Sequence, residues 1–241
     1  MTSREHLLAR TFVDLADTLV ADFDVIDLLH TLATRSTELL DANAAGIMLA
    51  DQRGSLRVMA SSTEEARLLE LYELQRNEGP CLDCFHSGAP VARADLDAML
   101  ATWPVFTKRM RELGFSSAQA LPMRLHGDTI GVLNLFRSRP GPLTESDLWI
   151  GQAMAHVATV GLMQERSIAA SEQLAEQLQA ALSSRVLLEQ AKGVLAERTG
   201  LSMDESFHAM RRYARANQRR LGEVAARIID GTVDAEALRG T

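Results

Sequence analysis

The sequence predicts an α+β protein. An antiparallel sheet flanked by helices is followed by a long coiled-coil helix and a three-helix all-α module. Three observations carry that expectation. Short apolar runs bounded by turn residues recur between residues 44 and 136, the pattern of paired strands. From Thr144 to Thr199 there is no proline and no strong breaker, so one helix can run through the whole stretch. Beyond Gly200, the remaining apolar residues fall at helical spacing only.

In chain order, Phe12, Leu15, Ala16 and Leu19 define a first helix. Ile26, Leu29, Leu32, Ala33, Leu39 and Leu40 define a second, with Asp24 as its cap. Ala45–Ala50 and Leu56–Ala60 read as a hairpin around Asp51-Gln52-Arg53-Gly54. Glu64–Gln75 is helical until Asn77-Glu78-Gly79-Pro80 breaks it. A short helix through Cys81–His86, a strand at Pro90-Val91-Ala92 and a helical insertion over Asp95–Leu113 follow. Ser117–Leu125 and Thr129–Phe136 form the clearest strand pair, the second central in the sheet because Ile130-Gly131-Val132-Leu133 is apolar throughout. Thr144 caps the long helix above an acidic first turn. Within it Leu174, Leu178, Ala181 and Leu188 make a seam with Arg185 as a polar defect. This supports a parallel homodimer, the alternative being a helix that lies back on its own sheet. Ser202 and Glu205 form a capping box. Phe207, Met210 and Ala214 give the apolar face of the next helix, and Leu221, Val224, Ala225, Ile228 and Ile229 that of the last.

Composition narrows the function classes. The 241 residues, 46% hydrophobic and 24% charged, can bury a sizeable core. No run of about 18 apolar residues suggests a membrane span, and the N-terminus lacks the apolar core of a signal peptide. A cytoplasmic location is therefore expected. Two cysteines are too few for a disulfide framework. The net charge of −7 conceals an asymmetry: residues 185–230 hold nine Arg/Lys against six Asp/Glu, a local +3 that leaves −10 elsewhere. Arg211, Arg212, Arg215, Arg219 and Arg220 fall in one acid-free stretch. An acidic body with a basic tip suggests a polyanionic partner.

Arg211, Arg212 and Arg215 share one helix face by their three- and four-residue spacing. Guanidinium groups bind phosphate bidentately and stack on unpaired bases, which suits RNA loops. Lys192-Gly193 sits mid-helix, where glycine costs about 1 kcal/mol against alanine. A close approach by another helix or a ligand would account for it. The competing reading is a solvated Arg face with a packing glycine.

These residues carry a resemblance. Arg185-Val186, Glu189–Leu195, Leu201–Phe207, Arg211–Arg215 and Leu221–Ala225 together resemble the ANTAR domain, a three-helix RNA-binding module of transcription antiterminators. The match runs from about Leu178 to Asp230, with serine at position 206 where the family more usually has alanine. The resemblance implies binding to structured hairpins in nascent transcripts. Carried over by position, Lys192, Gly193, Arg211 and Arg215 are the foremost RNA contacts, and Arg185, Gln190, Arg212 and Arg219 follow. The front of the chain resembles a GAF domain, in particular the kind fused ahead of ANTAR in actinobacterial regulators. Glu78–Asp83, Asp95-Leu96, Trp103–Phe106, Gly114–Ser117, Leu121–Met123 and Ile130–Leu135 carry this likeness. GAF domains bind varied small molecules, so the resemblance implies a pocket without naming its occupant, and the cofactor stays unknown. The expected boundaries are a sensor domain over 1–163, a coiled-coil linker over 164–184 and an RNA-binding domain over 185–241.

Cys81 and Cys84 are the ligand or redox candidates. A helix N-terminus at Cys81 would lower its pKa and favour redox sensing. Inert, buried thiols are the other reading. A metal site is disfavoured because His86, His126 and His156 do not complete an obvious ligand set. No phosphate loop, nucleophile elbow or HExxH motif is present, so no catalytic residue is assigned and the chain is read as a non-enzyme. Two competing functions remain: a GAF-based thiol reductase using Cys81 and Cys84, and a DNA-binding helix-turn-helix regulator.

Overall fold

The computed structural model describes residues 4–17, 24–93, 96–233 and 238, and all statements below concern those residues. Leu19, Asp95 and the side chain of Ala181 lie outside them. The chain divides into two compact units, Met1–Arg166 and Ser167–Thr241.

In the first unit, helices α1 (Arg4–Asp17) and α2 (Val25–Leu39) precede the hairpin β1 (Ala44–Ala50) and β2 (Leu56–Ser61). Helices α3 (Glu64–Arg76) and α4 (Pro80–Ser87), the short β3 (Val91–Arg93), and helices α5 (Leu96–Thr102) and α6 (Pro104–Glu112) come next. The long pair β4 (Ser117–Leu125) and β5 (Asp128–Arg137) leads into α7 (Glu145–Thr199). The five strands pair antiparallel throughout, in the order β2-β1-β5-β4-β3. The apolar β5 is central, as its sequence requires.

Strand alternation divides the interior into two layers. Ala45, Ile47 and Leu49 face one way and pack with α1, α2 and the start of α7, including Met154, Ala155, Ala158 and Leu162. Ala44 faces the other way with Leu69, Met99, Phe106 and Phe136. Met48 shares that side with Cys81, Cys84, Ala120 and Val132. The caps are those the sequence implies: Asp24 accepts from the Ile26 N–H (2.7 Å) and Thr144 from the Asp147 N–H (3.1 Å).

The GAF-like motifs prove to be structural joints. Glu78 accepts from the Val105 and Phe106 N–H groups (2.7 and 3.1 Å), capping α6, and Asp83 accepts from the Trp103 indole (3.1 Å). Residues distant in sequence thus hold α4 and α6 together.

The second unit contains the remainder of α7, then α8 (Met203–Ala216) and α9 (Leu221–Ile229). Ala191, Leu195, Ala209, Met210, Ala214, Val224, Ala225, Ile228, Val233 and Leu238 form its core. The Ser202–Glu205 capping box is formed in both directions. Every described side chain from Arg166 to Val186 is exposed, Leu174, Leu178, Leu182 and Val186 among them.

Candidate nucleic-acid interface

The basic face of α8 is built by its amphipathic pattern. Ser206, Ala209, Met210 and Ala214 are buried, whereas Arg211, Arg212 and Arg215 are exposed. Phe207, expected in the core, is only half-buried. At about 100° per residue, this moves the buried face away from Phe207 and places the arginines roughly half a turn from the core. Nothing in the packing needs them.

Phe207 instead sits at the edge, in contact with the basic residues. Lys192 Nζ lies 5.8 Å and Arg211 Cζ 5.9 Å from its ring centroid, within cation–π range. Ser184, Arg185, Leu188, Glu189, Lys192, Asp204 and Phe207 line a groove of about 510 Å³ between α7 and α8. Phe207, Arg211 and Arg215 follow one another at four-residue steps, so the cationic row runs away from this groove along α8. The structure therefore unites Arg185, Lys192 and Arg211 around Phe207. Arg212, Arg215 and Arg219 do not line the groove.

Lys192 is bonded to Glu189 at 2.7 Å and is largely covered. Among the described residues Arg185, Arg211, Arg212, Arg215 and Arg219 form no ion pair, and all five are exposed. Gln190 is exposed too. A Cβ added at Gly193 would meet nothing within 4 Å. Among the described residues, the close approach expected there does not come from another helix.

Of the two readings of the cysteine pair, the structure has the thiols buried. Cys81 does occupy the N-terminal turn of α4, but it is fully buried, and its thiol donates to Met48 Sδ at 3.4 Å. Burial, reinforced by Glu73, pushes its pKa well above that of an ordinary thiol. Burial pushes Cys84 up to about 12. At Cys81 burial outweighs the helix N-terminus, and both shifts favour the protonated thiol. Among the described residues no group of three His, Cys, Asp or Glu is arranged to hold a metal.

Beside Cys81 lies a cluster that sequence reasoning missed. Glu70 and Glu73 of α3 are fully buried against the sheet. Glu70 accepts from Ser61 Oγ and Asn134 Nδ2 (both 2.8 Å), yet burial still pushes it up to about 7. Glu73 accepts from the Cys81 N–H (2.7 Å), and burial raises its pKa strongly, with Glu70 adding to the shift. Glu73 Oε2 and Asn134 Oδ1 have no partner. Gly46 makes room: a Cβ there would stand 2.2 Å from the Glu70 carboxylate. Glycine and asparagine at mid-strand, in register at Gly46–Asn134, were the available signal.

An antiparallel sheet flanked by helices, continued by a helical module with an exposed cationic face, makes a two-part architecture. The chain belongs to the GAF domain family, whose model matches residues 24–163, and it carries an ANTAR domain over residues 176–229. That combination is the architecture of antitermination regulators. No functionally curated protein matches the chain. Among solved structures, the GAF domain of a phosphoenolpyruvate-protein phosphotransferase from Coxiella burnetii is similar at a TM-score of 0.54 and 15% identity. It covers 70% of this chain and 99% of its own. A free methionine-R-sulfoxide reductase from Neisseria meningitidis, solved with its substrate, is similar at 0.50 and 18% identity, covering 68% and 91%. A domain of a two-component sensor histidine kinase protein from Sinorhizobium meliloti 1021 gives 0.52 and 16%, covering 62% and 98%. At such identities the likeness shows the fold alone. Among the described residues no helix is long and apolar enough to cross a membrane.

Proposed function

We propose that this protein is a signal-responsive antitermination regulator that binds hairpin RNA through the basic face of α8 and the adjoining stretch of α7. One observation carries the reading: five arginines are exposed without a carboxylate partner among the described residues, on and beside a face that the core does not use. Free guanidinium groups are suited to phosphate and unpaired bases. Lys192 joins them beside the Phe207 ring, and Gly193 leaves α7 bare where a ligand backbone can approach closely.

The regulator acts as a homodimer, with Leu174, Leu178, Leu182 and Val186 as the apolar surface that a second α7 covers. Each is about 57% exposed in the single chain, a large exposure for four aliphatic side chains on successive turns of one helix. A small molecule bound by the GAF domain controls RNA binding by differing in affinity between two arrangements of α7.

The test is a titration of the full-length protein with stem–loop RNA across a salt series, with duplex DNA as competitor. Affinity is expected to fall steeply with salt, and duplex DNA is expected to compete poorly. Lys192→Ala and Arg215→Ala should each weaken binding while the circular dichroism spectrum is preserved. Wild-type affinity in both variants, or preferential capture by DNA, would overturn the assignment.

A further inference from the structure

We infer that the groove between α7 and α8 is a subsite for one unpaired nucleobase, stacked on Phe207; this rests on the RNA reading above and specifies it.

The groove differs in kind from the face beside it. Of its lining residues Arg185 and Lys192 are cationic, while Glu189 and Asp204 are anionic, so its charge balances. A phosphate is poorly served there: Lys192 is already bonded to Glu189 at 2.7 Å, and Asp204 repels a second anion. What the groove does supply is a half-buried aromatic ring, the apolar side chain of Leu188 and carboxylate acceptors at its rim. A nucleobase matches all three, with a π-face for the ring and, in adenine, guanine or cytosine, an exocyclic amine for a carboxylate. The open groove, about 510 Å³, has room for one base lying against the ring.

Neighbouring residues supply the other half of a nucleotide site. Arg211 lies over the same ring, and Arg215 follows one turn further along α8. A strand whose base enters the groove would carry its phosphates past these two guanidinium groups. Phe207 thus divides the surface, with base recognition on one side and backbone binding on the other. The ring's position also answers a structural question: a phenylalanine whose only role was packing would belong on the buried face with Met210, yet it stands a turn-edge away among cations.

The experiment uses the full-length protein and the tightest stem–loop recovered from a pool with a randomised loop. Phe207→Leu keeps an apolar side chain of similar reach, and it should lower affinity about tenfold, the scale of one base–aromatic stack. The salt slope should not change, because no phosphate contact is lost. Phe207→Trp should retain binding. Independently of any protein variant, abasic replacement through the loop should reveal one position that weakens the wild type about tenfold. The same replacement should leave Phe207→Leu unaffected. If the wild type binds the stem–loop but no abasic position is coupled to Phe207, the subsite is wrong while the RNA reading stands. If the wild type binds no stem–loop at all, both fall.

Discussion

The two groups of charged side chains in this protein are opposites. In the GAF unit Glu70 and Glu73 are fully buried, and among the described residues they are held by Ser61, Asn134 and the Cys81 N–H without a cation. In the helical unit Arg211, Arg212 and Arg215 are exposed, with no hydrogen-bond or ion-pair partner among the described residues. Charge hidden from water is coupled to folding, because the interior dictates its protonation. Charge left in water without a partner contributes little to stability and is free for a ligand. Substitutions in the first group should therefore change stability and its pH dependence, and those in the second should change binding alone.

The sharpest separation is expected with pH. Glu70 has a folded-state pKa near 7 against an ordinary value of 4.5, so the folded protein binds its proton more tightly than the unfolded chain does. Stability from this group is complete below pH 4.5 and is lost as pH rises through the window up to about 7. The loss is about 3 kcal/mol from this shift alone. Glu73 is shifted in the same direction and steepens the trend. Urea unfolding of the GAF transition across that window should show a falling midpoint, and Glu70→Gln should flatten it. A midpoint that rises with pH would mean that the carboxyl is ionised and paired in solution.

Next in size is Gly46→Ala. The added methyl would stand 2.2 Å from the Glu70 carboxylate, whose helix cannot retreat without opening the layer. Overpacking of this kind costs about 1–3 kcal/mol, read as a lower thermal midpoint of the GAF unit, with RNA affinity unchanged. On the other side of the comparison, Arg211→Ala and Arg215→Ala should each shift stability by less than about 0.5 kcal/mol. Filter binding should nevertheless show a several-fold loss of RNA affinity and a shallower salt slope for each. Loss of thermal stability in these variants would show that the arginines belong to the fold after all.

The smallest effect belongs to Gly193→Ala. Since nothing within 4 Å would meet the new methyl, helix propensity favours the change, and the helical unit should gain up to about 1 kcal/mol in its melting transition. The same variant should bind RNA more weakly. A stabilised variant with undiminished affinity would remove Gly193 from the interface.

How much of this could be read in advance differs between the two regions, for physical reasons. The basic face was legible: three- and four-residue spacing places Arg211, Arg212 and Arg215 together whatever packs behind them. So were α7, which needed only the lack of a breaker, and the β4–β5 pair, marked by its apolar run and tight turn. The buried acids were not. On α3 the exposed residues include Leu68 and Leu71, while Glu70 and Glu73 are inside, so residue type and burial run against each other. Hydrophobic periodicity reports the wrong face there, because the stabilising partners belong to other elements: Ser61 of β2 and Cys81 of α4 on either side of α3, and Asn134 of β5 far away in sequence. Phe207 was misplaced for a related reason. Its spacing from Met210 and Ala214 suits a core, but the buried face turns towards Ser206 and Ala209 once α9 has docked. The cysteines show the same limit: position on α4 was readable, whereas the burial that outweighs the helix N-terminus was not.

By itself, then, the sequence determined element order, the capping of the main helices, the central strand and the side of α8 on which the cations stand. These depend on interactions within a few residues of one another, which spacing encodes directly. Only the tertiary structure decided that two glutamates lie in the interior, that the thiols are buried, and that Phe207 faces a groove. Each depends on the local dielectric and the available space, which are set by segments that meet only after the chain has folded.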